Sequence, residues 1–248
     1  VTGIKDTRVV IVWQDDVAGS GAVDFGPTDA LGTTAVDVRG STFIGTIHMV
    51  ELTGLDAAAT YRFDVLSGGS RDDNGGSHYS FTTGALRAPA PASDLVYGRV
   101  VDEAAVPVAD ALVVLRVVHA GTPAVESQPV AALTDADGTW YFDLANLRTA
   151  DNGAVFVPAF PADSVRVEVR AQNGAWGTAV AGASHCPLPD IVVRLNRAPV
   201  LDPITAVTVD EGQTVTLTPT ASDPDGDALT YTYTGWMTSD TYVTGYTD

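Results

Sequence analysis

Apolar side chains in this sequence recur at every second position, in short bursts, and hardly anywhere at helical spacing. Val9, Ile11 and Trp13 form one burst, Tyr61, Phe63 and Val65 a second, Val165, Val167 and Val169 a third, Val215 and Leu217 a fourth. Side chains two apart on an extended backbone share a face, so each burst describes a strand with one buried side. Turn dipeptides separate the bursts: Asn74-Gly75, Asn152-Gly153, Asn173-Gly174, Asp137-Gly138 and Asp225-Gly226. Such pairs accept the positive φ that tight turns demand. Many short strands cut at this spacing predict an all-β chain built from β-sandwiches. With 248 residues, 45% of them hydrophobic, there is chain enough for two or three such bodies with real cores. Disorder and a disulfide-stapled mini-protein are both excluded.

Charge narrows the partners. Thirteen Lys+Arg stand against 31 Asp+Glu, a formal net charge of -18. A surface of that sign repels phosphate backbones and anionic lipid, so neither nucleic acid nor a membrane surface is an expected partner. No apolar run reaches the ~18 residues of a membrane span. Of the 31 acids 26 are Asp, a residue of turns and calcium loops. Lys5 is the sole lysine, which GC-rich coding or a salty habitat explains. With Cys186 alone, no intramolecular disulfide can form, and cysteine usage does not reveal the compartment. Val1 follows neither a Met nor a signal peptide, and a processed form or a window of a longer chain is expected.

Two breaks divide the chain. Residues 85–93 (ALRAPAPAS) are rich in Pro and Ala, without large apolar anchors beyond Leu86, and read as a stiff linker able to span up to ~30 Å. Leu195 to Pro199 is tighter, so the second and third bodies are expected to be held closer than the first and second. The domains are therefore 1–84, 94–195 and 196–248.

Residues 1–84 resemble a fibronectin type III domain. Val9 to Trp13 stands as its B strand and Gly21 to Gly26 as its C strand; His48 to Val65 carries Leu55 and Tyr61 at the leucine and tyrosine-corner positions. The resemblance implies a phenol bonded to upstream backbone at the crossover into the next strand. Residues 94–195 resemble the transthyretin-like, carboxypeptidase-regulatory type of sandwich. Val96 to Val100, Pro107-Val108, Ala111 to Leu115 and Thr134 to Phe142 carry that likeness, with Ala105 where the family usually has Gly. In that family the Asp135 to Gly138 stretch is a hairpin turn, and a solvated turn rather than a calcium loop is expected.

Residues 196–248 resemble the start of the cadherin-like and Ig-like tandem repeats of surface proteins. The Asn196 to Pro199 linker, Val209 to Gly212 and Ala221 to Leu229 (ASDPDGDAL) carry the likeness. The fold class implied for the whole is all-β, with tandem Ig-like and transthyretin-like sandwiches, the last of them incomplete. A sandwich of this kind needs about 90 to 100 residues, and these 53 leave an open edge that invites strand pairing. In the cadherin-like family the corresponding Glu and Asp-x-Asp residues bind Ca²⁺. Glu211, Asp223, Asp225 and Asp227, with Asn196 from the linker, are the metal ligands implied here. Clustered carboxylates repel one another, and a hard cation relieves that repulsion. The family's acids flanking the linker Asn are absent, and a plain solvated turn over Asp223 to Asp227 stands as the competing reading.

Catalytic constellations are missing from the pattern. His48, His78, His119 and His185 are scattered, with no pair at i, i+4, and there is no Gly-x-Ser-x-Gly elbow. A phosphate-cradling loop ending in Gly-Lys cannot form around Lys5. His48 is expected in a satisfied structural role, Cys186 as a buried inert thiol, and the pairs Asp15-Asp16 and Asp72-Asp73 in loops. Trp13, Trp140, Trp176 and Trp236 fall in different segments, with core positions the commoner outcome. No Asn lies in a glycosylation sequon.

The expected function is that of a non-catalytic structural protein, extracellular or at the cell surface: a stalk, an adhesin segment or an appendage subunit. Its partners would be other copies of itself or cell-surface proteins. In one alternative, a filament grows head to tail by strand donation into the incomplete last domain, with Thr238 to Asp248 or Val1 to Val12 as the donor. In another, the domains are accessories of a secreted hydrolase, as the type III domains beside purple acid phosphatases are.

Overall fold

The structure is a computed structural model that describes residues 1–87, 92–121, 124–182, 186–208, 210, 212–214, 217–226 and 228–232. Among them there are seventeen strands and no helix. Two compact units divide the chain, Val1–Leu195 and Asn196–Asp248.

The first unit contains two sandwiches. In the first, β1 (Arg8–Gly19) pairs antiparallel with β4 (Gly45–Thr53). The facing sheet runs β3 (Thr33–Val36), β2 (Gly21–Gly26), β5 (Thr60–Ser67), β6 (Ser70–Asp72), with β7 (Tyr79–Thr82) also on β5. Their inward positions supply the core: Val9 and Ile11, Val50 and Leu52, Val23 and Phe25, Tyr61 and Phe63, closed by Phe81. Trp13 packs half-buried against the edge of this cluster. The Tyr61 phenol oxygen accepts the Asp56 backbone N–H at 3.0 Å, and Leu55 is buried beside it. That bond fixes the crossover into β5 in the manner of a tyrosine corner.

In the second sandwich, one sheet runs β10 (Val125–Glu126), β9 (Leu112–His119), β13 (Ser164–Arg170), β14 (Trp176–Ala181), with β11 (Val130–Leu133) also on β9. The other runs β12 (Thr139–Asp143), β8 (Leu95–Val101), β15 (Ile191–Val192), the last pair parallel. Strand β13 buries Val165, Val167 and Val169 and exposes Arg166, Glu168 and Arg170, which is the alternation its sequence predicts. Trp140 lies at the centre, fully buried. It fits because β8 carries Gly98 opposite, where a Cβ would stand 2.7 Å from the indole ring.

Several expectations need correction. Asp15 and Asp16 lie in β1, not in a loop, because the strand continues past Trp13 through an irregularity in its register. Asp72 ends β6, while Asp73 lies in the following turn. In the turn at Asp135 to Gly138, residues 135–137 are exposed, and Asp135 Oδ1 closes it by accepting the N–H groups of Asp137 and Thr139. It joins strands of different sheets, however, because β11 pairs with β9 and β12 with β8. Cys186 is exposed, because residues 186–190 run as irregular chain outside any strand. Trp176 is also exposed. Val1 to Val12 is no free donor strand, since Thr2 bridges Val10 and Val9 and Ile11 are core residues. Val215, Trp236, His185, residues 88–91 of the linker and the tail 238–248 lie outside the described residues.

In the second unit, β16 (Val200–Leu201) pairs with β17 (Ala221–Ser222). Val200, Leu201, Ile204 and Val207 are exposed, and neither apolar core cluster includes a described residue of this unit.

Candidate functional site

The two sandwiches of the first unit meet in a polar interface built around two glutamines. Gln128 follows β10 and is buried. Its Oε1 accepts the Ile4 N–H at 2.9 Å and its Nε2 donates to the Ile4 carbonyl at 2.6 Å, while Gly3 N–H donates to Pro129 O at 2.7 Å. A side-chain amide pairs here with a backbone amide as a neighbouring strand would. Gln172 sits in the turn between β13 and β14, where Gly174 takes a φ of 85° that an L side chain rarely adopts. From that turn Oε1 accepts Thr46 N–H at 2.9 Å and Ile47 N–H at 3.1 Å, and Nε2 donates to Asp110 O at 3.2 Å. The Thr46 hydroxyl donates back to Gln172 O at 2.7 Å.

Arginines complete the junction. Arg148 is buried and donates from Nη2 to Ala85 O at 2.6 Å, directly at the start of the Pro/Ala-rich stretch. Past that stretch, the Ser93 hydroxyl and the Asp94 N–H both donate to the Asp143 carboxylate. Arg39 grips Asp37 through Nε and Nη2, both at 2.9 Å, and donates to Ile47 O at 2.6 Å and to Asp110 at 3.4 Å. The first junction is thus a packed interface and not a hinge, because Gln128, Gln172 and Arg39 bond across it. Burial pushes the Asp37 carboxyl up, but the Arg39 guanidinium and the N–H groups of Arg39 and Met49 outweigh that, and its pKa is lowered.

Each of the three described histidines turns Nδ1 to a buried aspartate. His48 reaches Asp37 at 3.2 Å, His78 reaches Asp64 at 2.6 Å and His119 reaches Asp163 at 2.7 Å. His48 is fully buried, and its Nε2 has no hydrogen-bond partner, standing 3.8 Å from Asp15 Oδ2. The satisfied role expected for it holds at one nitrogen only. Asp15 is meanwhile engaged by the Trp13 indole N–H at 3.0 Å and the Ser67 hydroxyl. On the outer face of the first sandwich, Arg71 bridges Asp64 and Asp24. Burial raises the Asp64 carboxyl, yet bonds from His78 and Arg71 prevail and lower it. His119 stacks on Phe156 with ring centroids 4.0 Å apart. A carboxylate at Nδ1 orients an imidazole, and catalysis would require a nucleophile or substrate group at the other nitrogen. Among the described residues, no Ser, Thr or Cys side chain bonds to a histidine nitrogen.

Of the implied calcium ligands, Glu211 and Asp227 lie outside the described residues, and Asn196 and Asp223 belong with Asp225 to the second unit. Asp225 accepts the Arg197 N–H at 2.6 Å, Arg197 Nε at 3.0 Å and Arg197 Nη2 at 2.7 Å. Asp223 Oδ1 caps the turn by accepting the Asp225 N–H at 2.8 Å. Among the described residues a guanidinium thus stands against the Asp225 carboxylate. Among the described residues no group of three or more His, Cys, Asp or Glu is placed to hold a metal ion. The sequence pattern drew attention to carboxylates and passed over Arg197, although it lies within the linker. Gln128, Gln172 and Arg148 were missed too: a polar residue near a turn reads as solvated unless its distant partner is known.

No family model matches the chain, and no curated protein matches it. Among solved structures, the FN1–FN3 domains of chicken CNTN1 are similar over 90% of this chain and 83% of that chain, at 11% identity and a TM-score of 0.26. A superposition that loose supports no inference about this chain. The all-β sandwich architecture stands on the strands and sheets themselves.

Proposed function

We propose that the chain is a non-catalytic structural protein of the cell surface, in which a fibronectin type III-like and a transthyretin-like sandwich form one stiff segment of a stalk, adhesin or appendage. The observation that supports this most is the pair of glutamine clamps. A hinge between domains leaves each surface solvated, whereas Gln128 and Gln172 tie up backbone groups of the first sandwich from the second. A segment braced in this way transmits force without bending. Calorimetry of the full chain tests it: the first two sandwiches should melt in one transition. Two separate transitions for them would remove the basis for a stiff segment.

A second reading, a filament, draws on the second unit. Val200, Leu201, Ile204 and Val207 are exposed beside a sheet of two short strands, and an added strand would bury them. Negative-stain microscopy over a concentration series distinguishes filaments that lengthen from discrete particles of constant size, which would defeat this reading.

A further inference from the structure

The larger sheet of the second sandwich turns arginines outward, in a chain where acids outnumber bases. Arg116 lies on β9, Arg166 and Arg170 on β13, and Arg194 on the segment bridged to β14. Trp176 and Arg194 exchange both backbone bonds, each at 2.9 Å. A residue that spends both groups on one neighbour meets the other as a non-hydrogen-bonded pair, so the Cα atoms of Trp176 and Arg170 stand about 4.5 Å apart. The indole, 51% exposed, therefore has an arginine on either side. Among the described residues, Arg39 on Phe43 is the one guanidinium that covers a ring, so the indole keeps an open face. About 14 Å along β13 from Arg170, Arg166 stands directly opposite Arg116. Like charges on facing positions destabilise a sheet. Glu126 holds Arg166 at 2.8 Å and Glu103 holds Arg194 at 3.2 Å, exposed pairs that contribute little. Arg116 and Arg170 bond to no acid among the described residues, whereas Arg8, Arg39, Arg62 and Arg71 of the first sandwich are each held by one. Between the two basic poles, exposed Glu168 and Thr178 face each other across β13 and β14.

Independently of the mechanical role, we propose that this face binds a carboxylated polysaccharide, one sugar of which stacks on Trp176 with its carboxylate against Arg170, while a later carboxylate reaches Arg116. An indole offers the flat apolar surface that the C–H face of a sugar ring needs, and an arginine fork matches a carboxylate. Charge spacing selects this occupant. A nucleic acid strand carries a phosphate every ~3.4 Å and would set several against Glu168. A polysaccharide charged only at intervals brings hydroxyls there, which donate to Glu168 and accept from the Thr178 hydroxyl. A sheet face has no free backbone groups, so an acidic peptide has no ladder to join. The chain's net charge of -18 is screened beyond about 8 Å at physiological salt, and a ligand lying on this face meets the arginines first.

Isothermal titration calorimetry of the full chain tests the proposal with fragments of three uronate polymers: oligogalacturonate, oligomannuronate and hyaluronan. At least one should bind, and its methyl-esterified form, which keeps the sugars and loses the charge, should bind at least about tenfold more weakly. Trp176→Ala and Arg170→Gln, both at exposed positions, should each weaken binding at least about tenfold with the melting temperature unchanged. Failure of all three polymers to bind would overturn the proposal. So would equal binding of the ester, undiminished binding by either folded variant, or equally tight binding of oligothymidylate or polyglutamate. Self-association of the chain that Arg170→Gln abolishes would assign the face to a second copy and overturn it as well. If Trp176→Ala unfolds, Arg170→Gln and the ester decide.

Discussion

Replacing Gln172 by Ala removes one side chain and, with it, the bonds that the turn after β13 makes to β4. Its Oε1 is the acceptor for the N–H groups of Thr46 and Ile47, and Ile47 is fully buried. Two neutral hydrogen bonds contribute about 1 kcal/mol each, and leaving a buried N–H without an acceptor adds about 1 to 2 kcal/mol more. The expected loss is therefore about 3 to 4 kcal/mol, and it falls on both sandwiches, because the bonds run between them. Urea unfolding followed by tryptophan fluorescence reports it, with Trp140 buried in the second sandwich and Trp13 half-buried in the first. For a slope near the upper end of the usual range, the midpoint should drop by about 1 M. Gln172→Met keeps the volume but not the bonds, and should fall nearly as far. If Gln172→Met unfolds at the wild-type midpoint, the hydrogen bonds do not hold the junction and the clamp is refuted.

Three further outcomes follow from the same geometry. Gly21→Ala places a methyl group inside the His48 ring, which is fully buried and cannot retreat, so the first sandwich should lose about 3 kcal/mol, measured as a shift of its unfolding midpoint. Asp37 and Asp64 have lowered carboxyl pKa values. Their stabilisation is complete above the unfolded value of about 4 and is lost as pH falls through the lower folded values, so melting temperature should fall steeply below about pH 4, and less steeply in Asp64→Asn. Because Arg197 occupies Asp225, calcium or a chelator should leave the melting of the wild-type chain unchanged, and a calcium-dependent shift of the second unit would show that the guanidinium yields its place.

Strands were legible in the sequence wherever one face alone is buried. The burst at Val165, Val167 and Val169 is β13, and Tyr61, Phe63 and Val65 fall in β5, because period-two burial is a local property of an extended chain. The tyrosine corner was legible as well, since Leu55 and Tyr61 lie six residues apart and their geometry is set by nearby backbone. The junction was not. Gln172 and Thr46 are 126 positions apart, and Gln128 and Ile4 124, so each glutamine carries no local mark of its partner. Asp15 illustrates the same limit on a smaller scale: its role depends on Ser67, 52 residues away, which no alternation pattern reveals.

The scarcity of lysine, which coding or habitat explains at the level of composition, also has a structural use. Arg39 makes bonds through three nitrogens in fixed directions, to both oxygens of Asp37, to the Ile47 carbonyl and to Asp110 across the junction. Its guanidinium also lies over the Phe43 ring, 3.5 Å from the centroid. Arg71 bridges two aspartates on neighbouring strands, and Arg197 holds Asp225 through side chain and backbone together. An ammonium is a point charge on a flexible stem and cannot reproduce these planar forks. In a chain with 26 aspartates, many on the short strands and turns of sandwiches, the few cations are worth most where each satisfies several acceptors at once. Arginine does this while keeping its charge when buried, and exposed aspartates such as Asp16 and Asp135 contribute to an acidic exterior.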